Sequence, residues 1–166
     1  MTAAGVPARF DHGRIALGAR GLSYELNASP GKLISGRDVA MAYPDIQVIL
    51  GHAGFPVQRD AEYFELWKRE MSALGEAENV ACKISGFGMA DNHWTIDSIR
   101  PWVLHCIEAF GVDRCMFESN FPPDKQSCGY TELWNAFKHL TKNASAAEKT
   151  ALYSATAARV YKLMKP

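Results

Sequence analysis

Short apolar segments alternate with amphipathic helical ones along the chain, and this alternation limits the available folds more than any other feature. The runs 22–26, 46–50, Val80–Ile84 and Cys115–Phe117 have strand composition and are flanked by Gly, Pro, Asn or Asp. Their midpoints lie 24, 34 and 34 residues apart, which is room for one crossover helix each time. Between 58 and 74, Ala61, Phe64, Trp67, Met71 and Leu74 recur at helical spacing, with Arg59, Glu62, Glu65, Lys68 and Glu70 on the other faces. Ile96, Ile99, Val103, Ile107 and Phe110 repeat that stripe until Gly111 stops it, and Tyr130, Leu133, Trp134, Phe137 and Leu140 form a third. Ser145 followed by Glu148 makes a capping box that opens a helix towards Leu163. Residues 10–19 and 33–43 are weaker helical segments, the second closed by Pro44. Strands that are apolar on both faces and separated by helices predict an α/β fold with a covered parallel sheet, in one domain spanning residues 1–166.

Composition removes several classes of partner. Eighteen Lys plus Arg balance eighteen Asp plus Glu in 166 residues, so no basic surface is expected for nucleic acid or anionic membranes. No run of about 18 apolar residues occurs and no signal-peptide pattern opens the chain, which predicts a cytoplasmic protein. Cys82, Cys106, Cys115 and Cys128 contain no CxxC pair and read as buried free thiols.

In parallel βα folds, chemistry collects at the carboxyl ends of the strands. The first strand ends with Glu25 and Asn27 on one face, and the second with Leu50-Gly51-His52-Ala53-Gly54. The third presents Lys83 and Ser85 together, and the fourth Glu118 and Asn120, followed by Asp124 and Lys125. Each has an ordinary structural reading. His52 is a hydrogen-bonded residue or, between glycines that clear space, a reactive one; Lys83 a snorkelling side chain; Asn120 a turn residue; Asp124-Lys125 a solvated pair. Their joint position on one sheet edge favours a site. His105 and His139 lie in helical stretches and are expected to pack or face solvent, and His93 is expected to be a loop residue.

Three stretches carry a family resemblance: 44–54 around Leu50-Gly51-His52-Ala53-Gly54, 79–86 around Cys82-Lys83-Ile84-Ser85-Gly86, and 110–122 around Met116-Phe117-Glu118-Ser119-Asn120-Phe121-Pro122. In this order they resemble the last three strands of the amidohydrolase-related (amidohydrolase 2) family of TIM-barrel hydrolases, and 145–161 is similar to its terminal helices. The resemblance covers the chain from about Phe10 and is strongest for the lactonase-like members. It implies that His52 matches the histidine after strand six, a metal ligand or acid/base group depending on the member. Lys83 and Ser85 match the strand-seven motif, and Asn120 stands where most members carry an aspartate.

The departures also carry expectations. The His-x-His pair of the metal-dependent members would fall before Met1, and Asn27 replaces the strand-five histidine. A metal of this kind needs about four donors. The resemblance then implies no resident cofactor, with zinc retained only if other residues complete the ligand set. Four βα units are half of a barrel of about 250 residues, so the chain is expected to be a C-terminal half-barrel. Its inward apolar faces, including Val48 and Leu50, would be exposed, and two copies would pair into a homodimeric ring.

The functional expectation is hydrolysis of a small lactone or related C–O or C–N bond. His52 would serve as general base or orient water, Lys83 would hold or polarise the substrate, Asn120 and Ser85 would donate to the oxyanion, Glu118 or Asp124 would supply a carboxylate, and Glu25 and Asn27 would contact the substrate. The alternative of another class is a non-catalytic half-barrel with an interaction or regulatory role. A doubly wound nucleotide binder is disfavoured because no GxGxxG or Walker loop follows any strand.

Overall fold

The computed structural model describes residues 13 and 16–163. Strands β1 (Tyr24–Leu26), β2 (Val48–Leu50), β3 (Val80–Ile84) and β4 (Cys115–Phe117) form one parallel sheet in that order. Helices α1 (Leu33–Ala42), α2 (Ala61–Gly75) and α3 (Ile96–Phe110) make the crossovers, and α4 (Tyr130–Leu140) follows β4. The chain closes with α5 (Ala146–Thr150), a π turn (Ala151–Ala155) and α6 (Thr156–Val160). No described helix is long and apolar enough to cross a membrane.

Local chemistry sets the boundaries. The expected first and second strands each start two residues late. Leu22 N donates to Leu17 O and Ile46 N to Tyr43 O, so both amides close helix-terminal turns instead of joining the ladder. Asp60 accepts from Tyr63 N and delays α2 to Ala61. The predicted Ser145–Glu148 box is present, but its helix is interrupted by the π turn and ends at Val160. The expected helix at 10–19 lies largely outside the described residues, of which 16–19 are helical.

The pleat divides the sheet. Leu26, Val48, Leu50, Val80, Cys82, Ile84, Cys115 and Phe117 face the helices and join the main core with Leu33, Trp67, Met71 and Phe137. Val48 and Leu50 are therefore buried under helices, which corrects the expectation that they form an exposed inward face. Register decides this, because Glu25 pairs with Ile49 and Ile49 in turn with Ala81, so Ile49 is the residue that shares the inner face with Glu25. Ile49, Ala81 and Met116 are in turn covered by Val160 and Ala157 of α6. The apolar drive for two copies to cover one another is correspondingly weaker.

The outer layer is held at a few points. Trp67 is fully buried, donates to Ala53 O at 2.8 Å and contacts the rings of Phe64, Trp102 and His105. The Arg114 guanidinium donates to Gly75, Ala77 and Val80 carbonyls, which ties the end of α2 to the start of β3. Cys82, Cys106 and Cys115 are buried free thiols as expected, whereas Cys128 is only half-buried.

A β-carbon at Gly75 would lie 2.3 Å from Ala109 O on α3, a backbone atom that no rotamer change can move. Gly75→Ala gains at most about 1 kcal/mol of helix propensity against an overpacking cost of about 1–3 kcal/mol. Urea denaturation should show a net loss of stability, and an unchanged midpoint would contradict this packing.

Candidate active site

His52 opens a 3-10 turn directly after β2, and its backbone is left-handed (φ 48°), as are those of Ala53 and Phe55 (φ 50° each). Such conformations cost non-glycine residues about 1–2 kcal/mol each. They are held from outside, by Trp67 Nε1 on Ala53 O and by Tyr63 Oη on Phe55 O. The flanking glycines do not open a ligand space. A β-carbon at Gly51 would lie 2.7 Å from Asn27 Oδ1, and one at Gly54 would meet Met71 and Leu33. Gly86, at φ 76°, instead lets the loop after β3 approach His52, since its β-carbon would lie 2.9 Å from His52 Cβ.

A continuous polar chain crosses the strand ends. Ser85 Oγ donates to Glu118 Oε2 at 2.7 Å, and His52 Nδ1 lies 2.8 Å from the same Ser85 Oγ. A carboxylate only accepts, so the single hydroxyl hydrogen of Ser85 points to Glu118 and its oxygen accepts from His52 Nδ1–H. The hydrogen-bond network thereby assigns the tautomer and leaves the lone pair on Nε2. Glu118 Oε1 is 3.3 Å from Lys83 Nζ, which is also 3.2 Å from Glu25 Oε2.

Electrostatics follow from this arrangement. Burial pushes the His52 imidazole below its ordinary value, with Lys83 adding to the effect while Glu118, Asp124 and Glu25 oppose it. The Lys83 ammonium is disfavoured by burial, but Glu118, Glu25 and Tyr161 outweigh that and hold it above its ordinary value. Burial likewise raises the Asp124 carboxyl, against the hydrogen bonds from Asn120 and the Gly88 backbone.

The structure thus joins His52, Ser85, Glu118, Lys83 and Glu25 into one network. Asn120 (φ 53°) donates through Nδ2 to Asp124 Oδ1 at 2.9 Å, forming a second pair beside it. Asp124 is almost fully buried, so it is not part of a solvated pair with the exposed Lys125. One expected role changes, because Ser85 has no hydrogen left for an oxyanion. Asn27 is exposed at the edge, with its Oδ1 beside Gly51. Among the other histidines, His105 is packed between α2 and α3, near Ser72 Oγ and Lys68 O, while His93 and His139 are exposed. Sequence reasoning missed Tyr161, whose hydroxyl donates to Glu25 Oε1 at 2.7 Å. It lies 136 residues away, just past the end of the last helix, where no strand-end pattern points to it.

The described residues of this site do not by themselves supply the donors of a zinc centre. Such a site needs about four N, O or S ligands, and no three His, Cys, Asp or Glu side chains converge for one among the described residues. Glu118 is already shared between the Ser85 hydroxyl and the Lys83 ammonium.

An amidohydrolase family model matches residues 7–163. The chain belongs to the amidohydrolase family. Among the members it resembles are an uncharacterized protein, y4mH, of Sinorhizobium fredii, 46% identical over 147 residues (89% of this chain, 49% of that protein), and an L-fucono-1,5-lactonase of Burkholderia multivorans, 30% identical over 131 residues (72% and 44%). The crystal structure of a Burkholderia multivorans amidohydrolase with bound zinc superposes with a TM-score of 0.89 at 26% identity, covering 95% of this chain and 58% of that one. This amidohydrolase chain spans about half the length of the curated relatives it matches. Its four parallel βα units are part of a TIM barrel, the fold that the resemblance implied.

The lowered His52 value has a definite sign. The unfolded chain binds this proton more tightly, so His52 adds stability above its unfolded value that is lost as pH falls through the folded one. An NMR titration of the His52 imidazole should give a midpoint below 6.5. Glu118→Gln removes the strongest interaction opposing the shift and should lower the midpoint further; a rise would refute the arrangement.

Proposed function

We propose that this chain carries the His52 portion of a hydrolytic site that opens a small lactone. The observation that carries the reading is the His52–Ser85–Glu118 chain, which places the Nδ1 hydrogen on Ser85 so that the imidazole, kept neutral by burial, carries its lone pair on Nε2 at the strand-end edge. A general base at neutral pH needs that state.

In the proposed reaction Nε2 takes a proton from water as the water oxygen adds to the lactone carbonyl. The ring C–O bond then breaks, and the imidazolium returns the proton to the departing alkoxide, giving a hydroxy acid. Glu118 stabilises the imidazolium through Ser85. Asn120 uses one amide hydrogen on Asp124 and has a second for the developing oxyanion. Lys83 faces the substrate with its charge largely balanced by Glu118 and Glu25, an environment that suits an uncharged sugar-derived lactone better than a dicarboxylate. No step is routed through a metal. The lactonase name of a relative at 30% identity supports the substrate class.

A second reading, a non-catalytic half-barrel with a binding role, is favoured by Asn120, an amide at the place where the resemblance puts an aspartate and already committed to Asp124. Purified protein assayed against sugar-acid and dicarboxylate lactones, with and without added zinc, separates the two. Hydrolysis is expected, reduced about 10²–10⁴-fold by His52→Ala, the usual contribution of a general base. Turnover that survives His52→Ala would remove the assignment, and no turnover under any condition would favour the second reading.

A further inference from the structure

Tyr161 comes from outside the strand ends, yet it is the residue that orders Glu25. Its segment is pinned from three sides. Val160 packs against Ile49, Ala81 and Met116, Arg159 Nη2 donates to the Asp113 carbonyl, and Lys162 Nζ donates to the Gly21 carbonyl. The Glu25 side chain is 41% exposed, so water competes for both of its oxygens and several rotamers are open to it. The Tyr161 hydroxyl holds one oxygen at 2.7 Å while the other lies 3.2 Å from Lys83 Nζ.

We propose that Tyr161 is a positioning residue for Lys83, acting through Glu25: by fixing one carboxylate oxygen it directs the other at the ammonium and keeps Lys83 in the polar chain that leads through Glu118 and Ser85 to His52. The inference rests on the reading of this edge as a hydrolytic site in which Lys83 faces the substrate. The chemistry of the phenol agrees, since burial and the Glu25 carboxylate push it up to about 12, so it remains a donor at every pH where the protein would work. The groups facing Lys83 are Glu118, Glu25, Tyr161 and His52. Only the first two are anionic, so loss of an ordered Glu25 removes one of two charges that hold the ammonium.

The test is the pH dependence of Lys83 acetylation by trace acetic anhydride, followed by mass spectrometry on the whole chain. Tyr161→Phe should lower the Lys83 midpoint, so that labelling at a fixed pH below it speeds up several-fold. Glu25→Gln should do the same, and the double variant should match Glu25→Gln alone, because two residues acting in one path are not additive. An unmoved midpoint in Tyr161→Phe, or additive shifts in the double variant, overturns the proposal. Should Tyr161→Phe fail to fold by circular dichroism, the converse measurement decides. In Glu25→Gln the Tyr161 phenol, followed by NMR at Cζ, should titrate below its value in the parent, and a phenol that does not move is again fatal. Neither measurement needs turnover. A shifted midpoint without lactone hydrolysis sinks only the hydrolytic reading, and hydrolysis with an unmoved midpoint sinks only the role of Tyr161.

Discussion

The period of two along a parallel strand is the constraint on which the rest of this structure depends. Each strand sends alternate side chains to the helices and to the inner face, and the in-register ladder forces neighbouring strands to agree. Lys83 can stand among polar partners because Cys82 and Ile84, on either side, are wholly taken up by the helix-packed core. A slip of one residue would exchange those environments, placing an ammonium under α3 and two apolar groups at the site. The core and the polar edge are consequences of one register.

Charge at the edge is organised around a deficit of cations. Lys83 lies between the carboxylates of Glu118 and Glu25, and Asp124 is close enough to act on His52. An isolated histidine in that field would be drawn towards protonation. Burial wins instead and keeps the imidazole neutral, while Ser85 passes the influence of Glu118 to Nδ1 without placing the carboxylate in direct hydrogen-bond contact. The 3.4 Å between His52 Nδ1 and Glu118 Oε2 is the separation that this intervening hydroxyl imposes.

Among the described residues, four of the five non-glycine residues with left-handed backbones lie in the loops that carry the polar edge, the fifth being Lys162. His52, Ala53, Phe55 and Asn120 all have left-handed backbones, and they belong to the loops after β2 and β4. A domain stable by about 5–15 kcal/mol tolerates several such residues only when packed groups hold them, which is the part played by Trp67 and Tyr63 on the first loop. Those anchors sit on α2, so the outward-facing helix layer also fixes the orientation of the site.

The sequence by itself determined the βα alternation, the helical stripes, the Ser145–Glu148 cap and the strand ends that carry His52, Lys83, Ser85 and Glu118. These are legible because they are local: hydrophobic period, capping chemistry and residue identity act within a few positions. Parity alone could put Lys83 with Ser85 and Glu118 with Asn120 on shared faces, but not say which face is the inner one. Tertiary structure decided which face Val48 and Leu50 occupy, that Ser85 gives its hydrogen to Glu118, that Asn27 fills the space beside Gly51, that Asp124 is buried, and that Tyr161 reaches Glu25. Each of those depends on contacts between segments far apart in the chain, in the last case by 136 residues, and no periodicity within one segment records what another will bring against it.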